Sequence, residues 1–579
     1  MKNYKSFLYA VLSMLSIASL VACGGSNANN NRNSSSIPEE EEDKPLEVGD
    51  TVREWKSSSD YEQLPFDIAS GTGTREIVKN FGESDSESLH YSINSGSSYL
   101  TTEVTNPYFL QDDAKNGDII SLFVFLPSDS NIASLQLEFR SVGYSTGGWG
   151  RSNYDTIQGT AVTIDESKTE KWFRLEGSYD SFYDISYIRL KYTAVNSANP
   201  VELFVDNIKI TYGEDLPSAY EYNDESLYQT YEDYFIVGTC LSDNMVCNSK
   251  LRQITKDNFN SVTAENEAKP NSTLDQTACQ ELVKTDPTAV AITTEPFERI
   301  YDWCEASHVK VRHHTFVWHD QTPDWFFREG YQSGGALVNR TTMIVRLDNF
   351  LRETIETLDD RWPGLVYALD VVNEAIPEVD EVRSDSDWMR TIGDDYIYQA
   401  FVAASKYKTD YMDLYYNDYS FEQSRWGGPK RCKAAVENEK LLKRAIDEGI
   451  LDGIGIQSHC LDYEDVDAIL ENCETIHNAG VKCQLTELDI NCSGSSEFDN
   501  KQKDAFSKLI QGIIAGMEEE RMDVNAIIVW GITDNLSWHS TNYPLMFNED
   551  YSKKPAYYGF LEALEAYESG DTSDSGSEA

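Results

Sequence analysis

The chain has 579 residues, a formal net charge of −50 and a hydrophobic share of 40%. That length exceeds one ordinary domain and predicts two or three folded units. A polyanion of this kind is excluded as a binder of nucleic-acid phosphates or of an anionic membrane surface through its bulk field.

The N-terminus opens with Met1-Lys2-Asn3-Tyr4-Lys5 and an apolar run from Phe7 to Val21. This is the basic segment and short apolar core of an export signal, too short for a membrane span. It ends Leu20-Val21-Ala22-Cys23-Gly24 and resembles the bacterial lipobox. The resemblance implies acylation of Cys23 and a secreted protein anchored by lipid at the cell envelope, with the outer membrane expected. An ordinary signal peptide with a chance Cys is the alternative. Residues 24–48 are rich in Asn, Ser, Gly and then Glu, and predict a disordered tether; residues 569–579 predict an acidic tail.

Residues 49–213 read as an all-β module. Short runs at Ile119 to Leu126, Leu135 to Phe139, Tyr187 to Tyr192 and Leu203 to Ile210 are punctuated by Gly, Ser, Asn and Asp. That rhythm predicts a sandwich or jelly roll. Trp149, in a Gly-rich stretch, and Trp172 are candidate platforms for stacking on a sugar face, with core packing the alternative for Trp172. Asp206 is a candidate calcium ligand or a turn residue.

Residues 220–568 alternate apolar runs with amphipathic stretches. Eight strand candidates run Phe235 to Cys240, Phe259 to Glu265, Val309 to Trp318, Val366 to Asn373, Asp413 to Asn417, Gly453 to Ser458, Cys483 to Leu488 and Ile527 to Ile532. Thr342 to Leu358 and Ala434 to Glu448 predict helices. Eight such units predict an α/β fold, a TIM barrel with its site at the strand C-termini. Nine cysteines remain beside Cys23, an odd number, so at least one is unpaired in a monomer. Cys240 with Cys247 is a candidate short disulfide loop, and the spacings do not resemble a zinc site.

The fourth strand candidate leads into Asn373-Glu374-Ala375, and the seventh holds Thr486-Glu487-Leu488-Asp489. Two carboxyls in one cleft suit glycoside hydrolysis: one protonated to donate to the leaving oxygen, one ionised to attack or to activate water. Residues two apart on a strand share a face, so Glu487 and Asp489 point the same way and His459 is placed to bridge them.

Ordered motifs then extend over residues 230–560. They include Asn260 to Pro270, His314 to His319, Gln321-Thr322-Pro323, Asp370 to Ala375, Gly455 to His459, Thr486 to Asp489 and Trp530 to Asp534. Together they resemble family 10 of the glycoside hydrolases, the endo-β-1,4-xylanases. The resemblance implies retention through a covalent glycosyl-enzyme, with Glu374 as acid/base and Glu487 as nucleophile. It implies support from Asn373, His459 and Asp489, with Asn373 on the sugar 2-hydroxyl. It further implies sugar contacts at Glu265, Asn266, Lys269, His314, Trp318, Gln321, Gln457, Trp530 and Trp538. Xylan and xylo-oligosaccharides are the implied partners. No cofactor or catalytic metal is required, a structural calcium is possible, and a monomer is expected. The first module is similar to xylan-binding modules of family 15.

The chain departs from the family pattern at His313, where Gly is usual, at Leu369, where Trp is common, and at Ser420, where Asn is frequent. These departures bear on fine specificity. The alternatives are a cellulase or mixed β-glucanase on the same fold, and a non-catalytic glycan-binding lipoprotein, against which the pairing of Glu374 with Glu487 argues.

Overall fold

The computed structural model describes residues 47–64, 66–83, 87–95, 98–102, 117–141, 156–223, 226–419, 421–461, 463, 465–492 and 496–570. Cys23, Trp149 and Ser420 lie outside the described residues, as do the leader, nearly all of the tether and residues 571–579 of the acidic tail.

Among the described residues, eleven strands build the first module. They are β1 Thr51–Trp55, β2 Asp67–Ile68, β3 Thr72–Lys79, β4 Glu87–Ser95, β5 Tyr99–Thr101, β6 Ile119–Phe125, β7 Ile132–Ser141, β8 Thr156–Thr163, β9 Trp172–Ser178, β10 Ile185–Ala194 and β11 Val201–Thr211. One sheet runs β3-β4-β11-β6-β9, with β1 also on β11; the other runs β2-β5-β10-β7-β8. Every pairing is antiparallel. Their inward residues form a core of their own.

In β11 the buried apolar positions are Val201, Leu203 and Val205, then Ile208 and Ile210. The switch from odd to even marks a bulge, where the register against β6 shifts between Asp206 and Lys209. Asn207 there has φ 46°. Asp206 is buried at this bulge and accepts from the Tyr61 hydroxyl, from its neighbour Asn207 N–H at 2.7 Å and from Glu83 N–H at 2.6 Å. Its carboxylate thus pins the bulge to the loop at Glu83. Among the described residues no group of three or more His, Cys, Asp or Glu is arranged to hold a metal ion.

The second module is a closed parallel barrel. Its strands are β12 Ile236–Leu241, β13 Ser261–Ala264, β14 Lys310–Trp318, β15 Val366–Asn373, β16 Asp413–Asp418, β17 Gly453–Ile456, β19 Lys482–Ile490 and β20 Val524–Val529. The two-residue β18, His459–Cys460, extends β17 and pairs with the end of β19. β12 pairs with both β13 and β20, and β17 pairs with β19, so the eight-stranded ring closes. Unlike an apolar barrel core, this interior carries charge. Arg312, fully buried, clasps both oxygens of Asp370 and donates to Gln484 Oε1 at 2.8 Å.

The two modules meet through direct contacts. Arg252, on the first long barrel helix Ser249–Asn258, grips both oxygens of Asp184 at 2.7 and 2.8 Å. Ser249 N–H donates to Phe182 O at 2.8 Å, and Asp184 N–H to Cys247 O at 2.8 Å. The Phe182 ring meets Tyr551 edge-on at 5.4 Å. No helix of the described residues is long and apolar enough to cross a membrane.

Candidate active site

Glu374 follows β15 at the C-terminal mouth of the barrel. Its φ is 55°, a left-handed conformation that side chains rarely adopt. Trp318, at the end of β14, donates its indole N–H to Glu374 Oε2 at 2.8 Å. Gln457, just past β17, donates to Glu374 Oε1 at 3.0 Å. His319 Nδ1 lies 3.9 Å from Glu374 Oε2. Burial, with the nearby Arg383 charge, lowers the His319 pKa and so favours a neutral ring.

Glu487 lies on β19 and is almost wholly buried. Asn417, on β16, donates to Glu487 Oε1 at 2.9 Å. His459 Nε2 lies 3.3 Å from Glu487 Oε2, and its Nδ1 lies 2.9 Å from Asp489 Oδ2. Trp538 donates its indole N–H to the same Asp489 oxygen at 2.9 Å. Burial opposes the charge on Glu487, but the His459 hydrogen bond and the charges of His314, His459 and Lys269 outweigh it and hold the group at about 2. Burial likewise disfavours a charged His459, and Asp489 with Glu487 overcomes it, raising the imidazole well above the usual histidine range. Glu487 and Asp489 therefore share one face of their strand, with His459 between them.

A polar chain connects the two carboxyls. Gln457 Nε2, bonded to Glu374, also reaches Asn373 Oδ1 at 3.4 Å. Asn417 Nδ2, bonded to Glu487, donates to the same Asn373 oxygen at 2.9 Å. The Asn417 amide is oriented by Thr486 Oγ, which donates to its oxygen at 2.6 Å. The Asn373 oxygen thus faces Asn417 and Gln457, and its amide nitrogen is turned away from them. Asn417 ends the fifth strand candidate, Asp413 to Asn417, yet its sequence context gives it no role. Its place at a barrel strand's C-terminus is the signal that points to it.

The other predicted contacts cluster around this chain. Lys269, buried, donates to Asn266 Oδ1 at 2.9 Å, and its ammonium sits 5.0 Å from the centre of the Trp318 ring. Glu265 is half-buried, and burial, with the charge of Glu267, pushes its carboxyl up to about 7 against the pull of Lys269. His314 Nδ1 bonds Asp370 Oδ2 at 2.8 Å, so the Arg312–Asp370 pair sets the orientation of its ring. Trp530 is buried, its ring 6.0 Å from His314 and edge-on. Trp538, by contrast, is 54% exposed, so the two tryptophans form an inner and an outer wall. The side-chain oxygen of Gln321 is buried without a hydrogen-bond partner among the described residues, an acceptor suited to a sugar hydroxyl. The site as a whole offers hydrogen-bond donors and acceptors between aromatic walls, the pattern of a carbohydrate cleft.

Trp172 points out of the sandwich core. Its ring packs against Phe81 at 5.7 Å and Phe125 at 5.6 Å, in an outer aromatic cluster that also holds Phe204. The neighbouring Phe173 packs on the core. The candidate Cys240–Cys247 disulfide is not formed: both thiols are free and buried. Cys240 ends up inside β12, while Cys247 caps a short helix and accepts from Arg299 at 2.8 Å. His313 occupies the usual glycine position with its ring buried beneath the cleft, bonded to the Tyr301 hydroxyl at 2.8 Å.

Residues 226–563 match glycosyl hydrolase family 10, and the chain belongs to that family. It is 33% identical over 339 residues to the bifunctional endo-1,4-beta-xylanase XylA of Ruminococcus flavefaciens, covering 58% of this chain and 33% of that one. It is 31% identical over 345 residues to endo-1,4-beta-xylanase B of Butyrivibrio fibrisolvens, covering 58% of this chain and 53% of that one. The chain thus spans between a third and about half of the length of these relatives. Among solved structures it resembles the CBM22-1–GH10 modules of the Clostridium thermocellum N-terminal endo-1,4-beta-D-xylanase 10B, solved with xylohexaose. That likeness has a TM-score of 0.57 at 24% identity and covers 89% of this chain and 96% of the other. It establishes the fold across both modules. The neighbour's first module is of the CBM22 kind, whereas the sequence resemblance pointed to family 15.

Proposed function

We propose that the chain is a retaining endo-β-1,4-xylanase in which Glu374 is the acid/base and Glu487 the nucleophile. The observation that carries this reading is the unequal setting of the two carboxyls. Glu487 is held ionised, at about 2, by the His459 hydrogen bond and the charges of His314, His459 and Lys269, as a nucleophile requires. Glu374, by contrast, receives its hydrogen bonds from the neutral donors Trp318 and Gln457. Attack of Glu487 on C1 expels the leaving oxygen as Glu374 protonates it. Glu374 then takes a proton from a water whose oxygen bonds C1 as the C1–Glu487 ester bond breaks, which frees the carboxylate and releases the sugar with retained configuration. Such a pair acts at about 5–5.5 Å separation. The Asn373 amide nitrogen is the donor for the sugar 2-hydroxyl, a bond that strengthens in the transition state. Both carboxyls belong to the protein, so the reaction needs no cofactor.

The relatives named as xylanases support xylan as substrate. The test is reducing-sugar release from glucuronoxylan and from carboxymethyl cellulose by chain lacking residues 1–48. Release from xylan with little from cellulose supports the reading. Comparable or greater release from cellulose replaces the substrate, and no release from either favours a binding protein.

We further propose that the sandwich targets the enzyme to xylan through Trp149 and Trp172, and that Cys23 carries the lipid anchor. The module expectation is supported by the two-module likeness, and the anchor by the sequence Leu20 to Cys23. Pull-down on insoluble xylan with Trp149→Ala and Trp172→Ala tests the first. Labelling with a radioactive fatty acid, lost in Cys23→Ser, tests the second.

A further inference from the structure

The turn that presents Glu374 is gripped from behind by consecutive residues of β16. Glu374 N–H donates to Asn417 O at 2.9 Å, Ala375 N–H to the Tyr416 hydroxyl at 3.0 Å, and Ile376 N–H to Asp418 Oδ2 at 3.3 Å. The Tyr416 hydroxyl in turn donates to that same Asp418 oxygen. Tyr416 and Asp418 are fully buried. The other side of the turn is closed by Arg383, whose Nε donates to Glu374 O at 2.8 Å and whose N–H donates to Ala375 O at 2.8 Å. Asp418 also holds the second partner of the carboxyl: its main-chain oxygen accepts from Gln457 N–H at 3.0 Å, and Gln457 bonds Glu374 Oε1.

A left-handed residue such as Glu374, with φ 55°, persists only where its surroundings over-determine it. Successive amides satisfied by successive residues of a neighbouring strand are such surroundings. A tyrosine is suited to this post because its hydroxyl accepts from Ala375 while donating to Asp418, and phenylalanine can do neither.

We propose that Tyr416 and Asp418 form a positioning pair for the acid/base, aiming the Glu374 carboxyl at the leaving-group oxygen; this rests on the reading of Glu374 as acid/base. Neither residue touches the sugar. The pair matters to the extent that the reaction needs a proton delivered.

The test compares Tyr416→Phe and Asp418→Asn with wild-type chain on two substrates, xylan and 2,4-dinitrophenyl β-xylobioside. The dinitrophenolate leaves without protonation, so kcat/KM on it reports attack by Glu487 alone. In either variant, kcat/KM on xylan should fall by about tenfold or more, mostly in kcat, while kcat/KM on the aryl substrate stays within about twofold. The ratio of the two is independent of the active fraction, and either variant suffices if the other fails to fold. Equal losses on both substrates mean a merely structural role and overturn the proposal, as does no loss on either. A wild-type chain inactive on both substrates overturns the acid/base reading itself.

Discussion

Asn417 donates one amide N–H to Glu487 Oε1 and the other to Asn373 Oδ1, both at 2.9 Å. One side chain thus steadies the ionised carboxylate and the residue proposed to read the sugar 2-hydroxyl. Asn417→Ala removes a hydrogen bond to a charged group, worth about 1.5–3 kcal/mol. Steady-state kinetics on xylan should show kcat reduced by about tenfold to a hundredfold, with KM changed far less. A change confined to KM would remove Asn417 from the machinery.

The acid limb of activity follows from the state of Glu487. Its carboxyl is held at about 2, so ionisation of the nucleophile should not limit kcat/KM until the pH falls towards that value. Asp489→Asn removes the partner that keeps His459 charged, and the Glu487 pKa should rise. The acid limb of the kcat/KM profile should then move to higher pH. A superimposable profile would mean that Asp489 does not act through His459.

Glu265 bears on stability in the opposite sense. Its folded pKa, about 7, exceeds the ordinary 4.5, so between these values the folded state binds more protons than the unfolded state. Stability therefore falls as the pH rises from about 4.5 to 7. Glu265→Gln should flatten that part of the stability curve in urea titrations across the range. An unchanged slope would place the carboxyl in an ordinary environment.

Arg252 and Asp184 form a bidentate pair across the module boundary, the first 26% exposed and the second 13%. After allowance for partial solvent screening, Arg252→Ala should cost about 1–2 kcal/mol. A lower urea midpoint and faster proteolytic cleavage near Phe182 would register the loss. No change in either would make the contact incidental.

Trp538 is exposed over half its surface, yet its indole N–H is tied to Asp489. Trp538→Ala should raise KM for xylan, and its effect on kcat should resemble a weakened Asp489→Asn. If KM and kcat are both unchanged, the outer wall is not at Trp538.

Much of the barrel is legible in one dimension. The eight apolar runs correspond to the eight strands, because parallel strands covered on both faces are mostly apolar, even with Arg312 and Asp370 buried inside this ring. The last run is displaced: Ile527 to Ile532 was expected and Val524–Val529 is observed, since the chain turns at Trp530 and Gly531, where φ is 129°. The helix expected from Ala434 to Glu448 is two, Gly428–Glu437 and Lys443–Asp447, with the break at Asn438. Glu374 and Glu487 stand at strand ends and could be picked out. The partners that set their chemistry could not. Asn417 and Glu487 are 70 positions apart and Arg312 and Asp370 are 58 apart, and only barrel closure brings them together. The direction of Trp172 was equally hidden, because two adjacent aromatics on one strand face opposite sides and either could be the inward one.

The clasp between Arg252 and Asp184, with the main-chain bonds at Ser249 and Cys247, leaves no free hinge between sandwich and barrel at that point. The two modules then behave as one caliper whose jaws are set during folding. A polymer held by both would be offered to the cleft in a single orientation, and the gain in local concentration would depend on the match between that fixed span and the polymer's own repeat, with no contribution from a swinging linker.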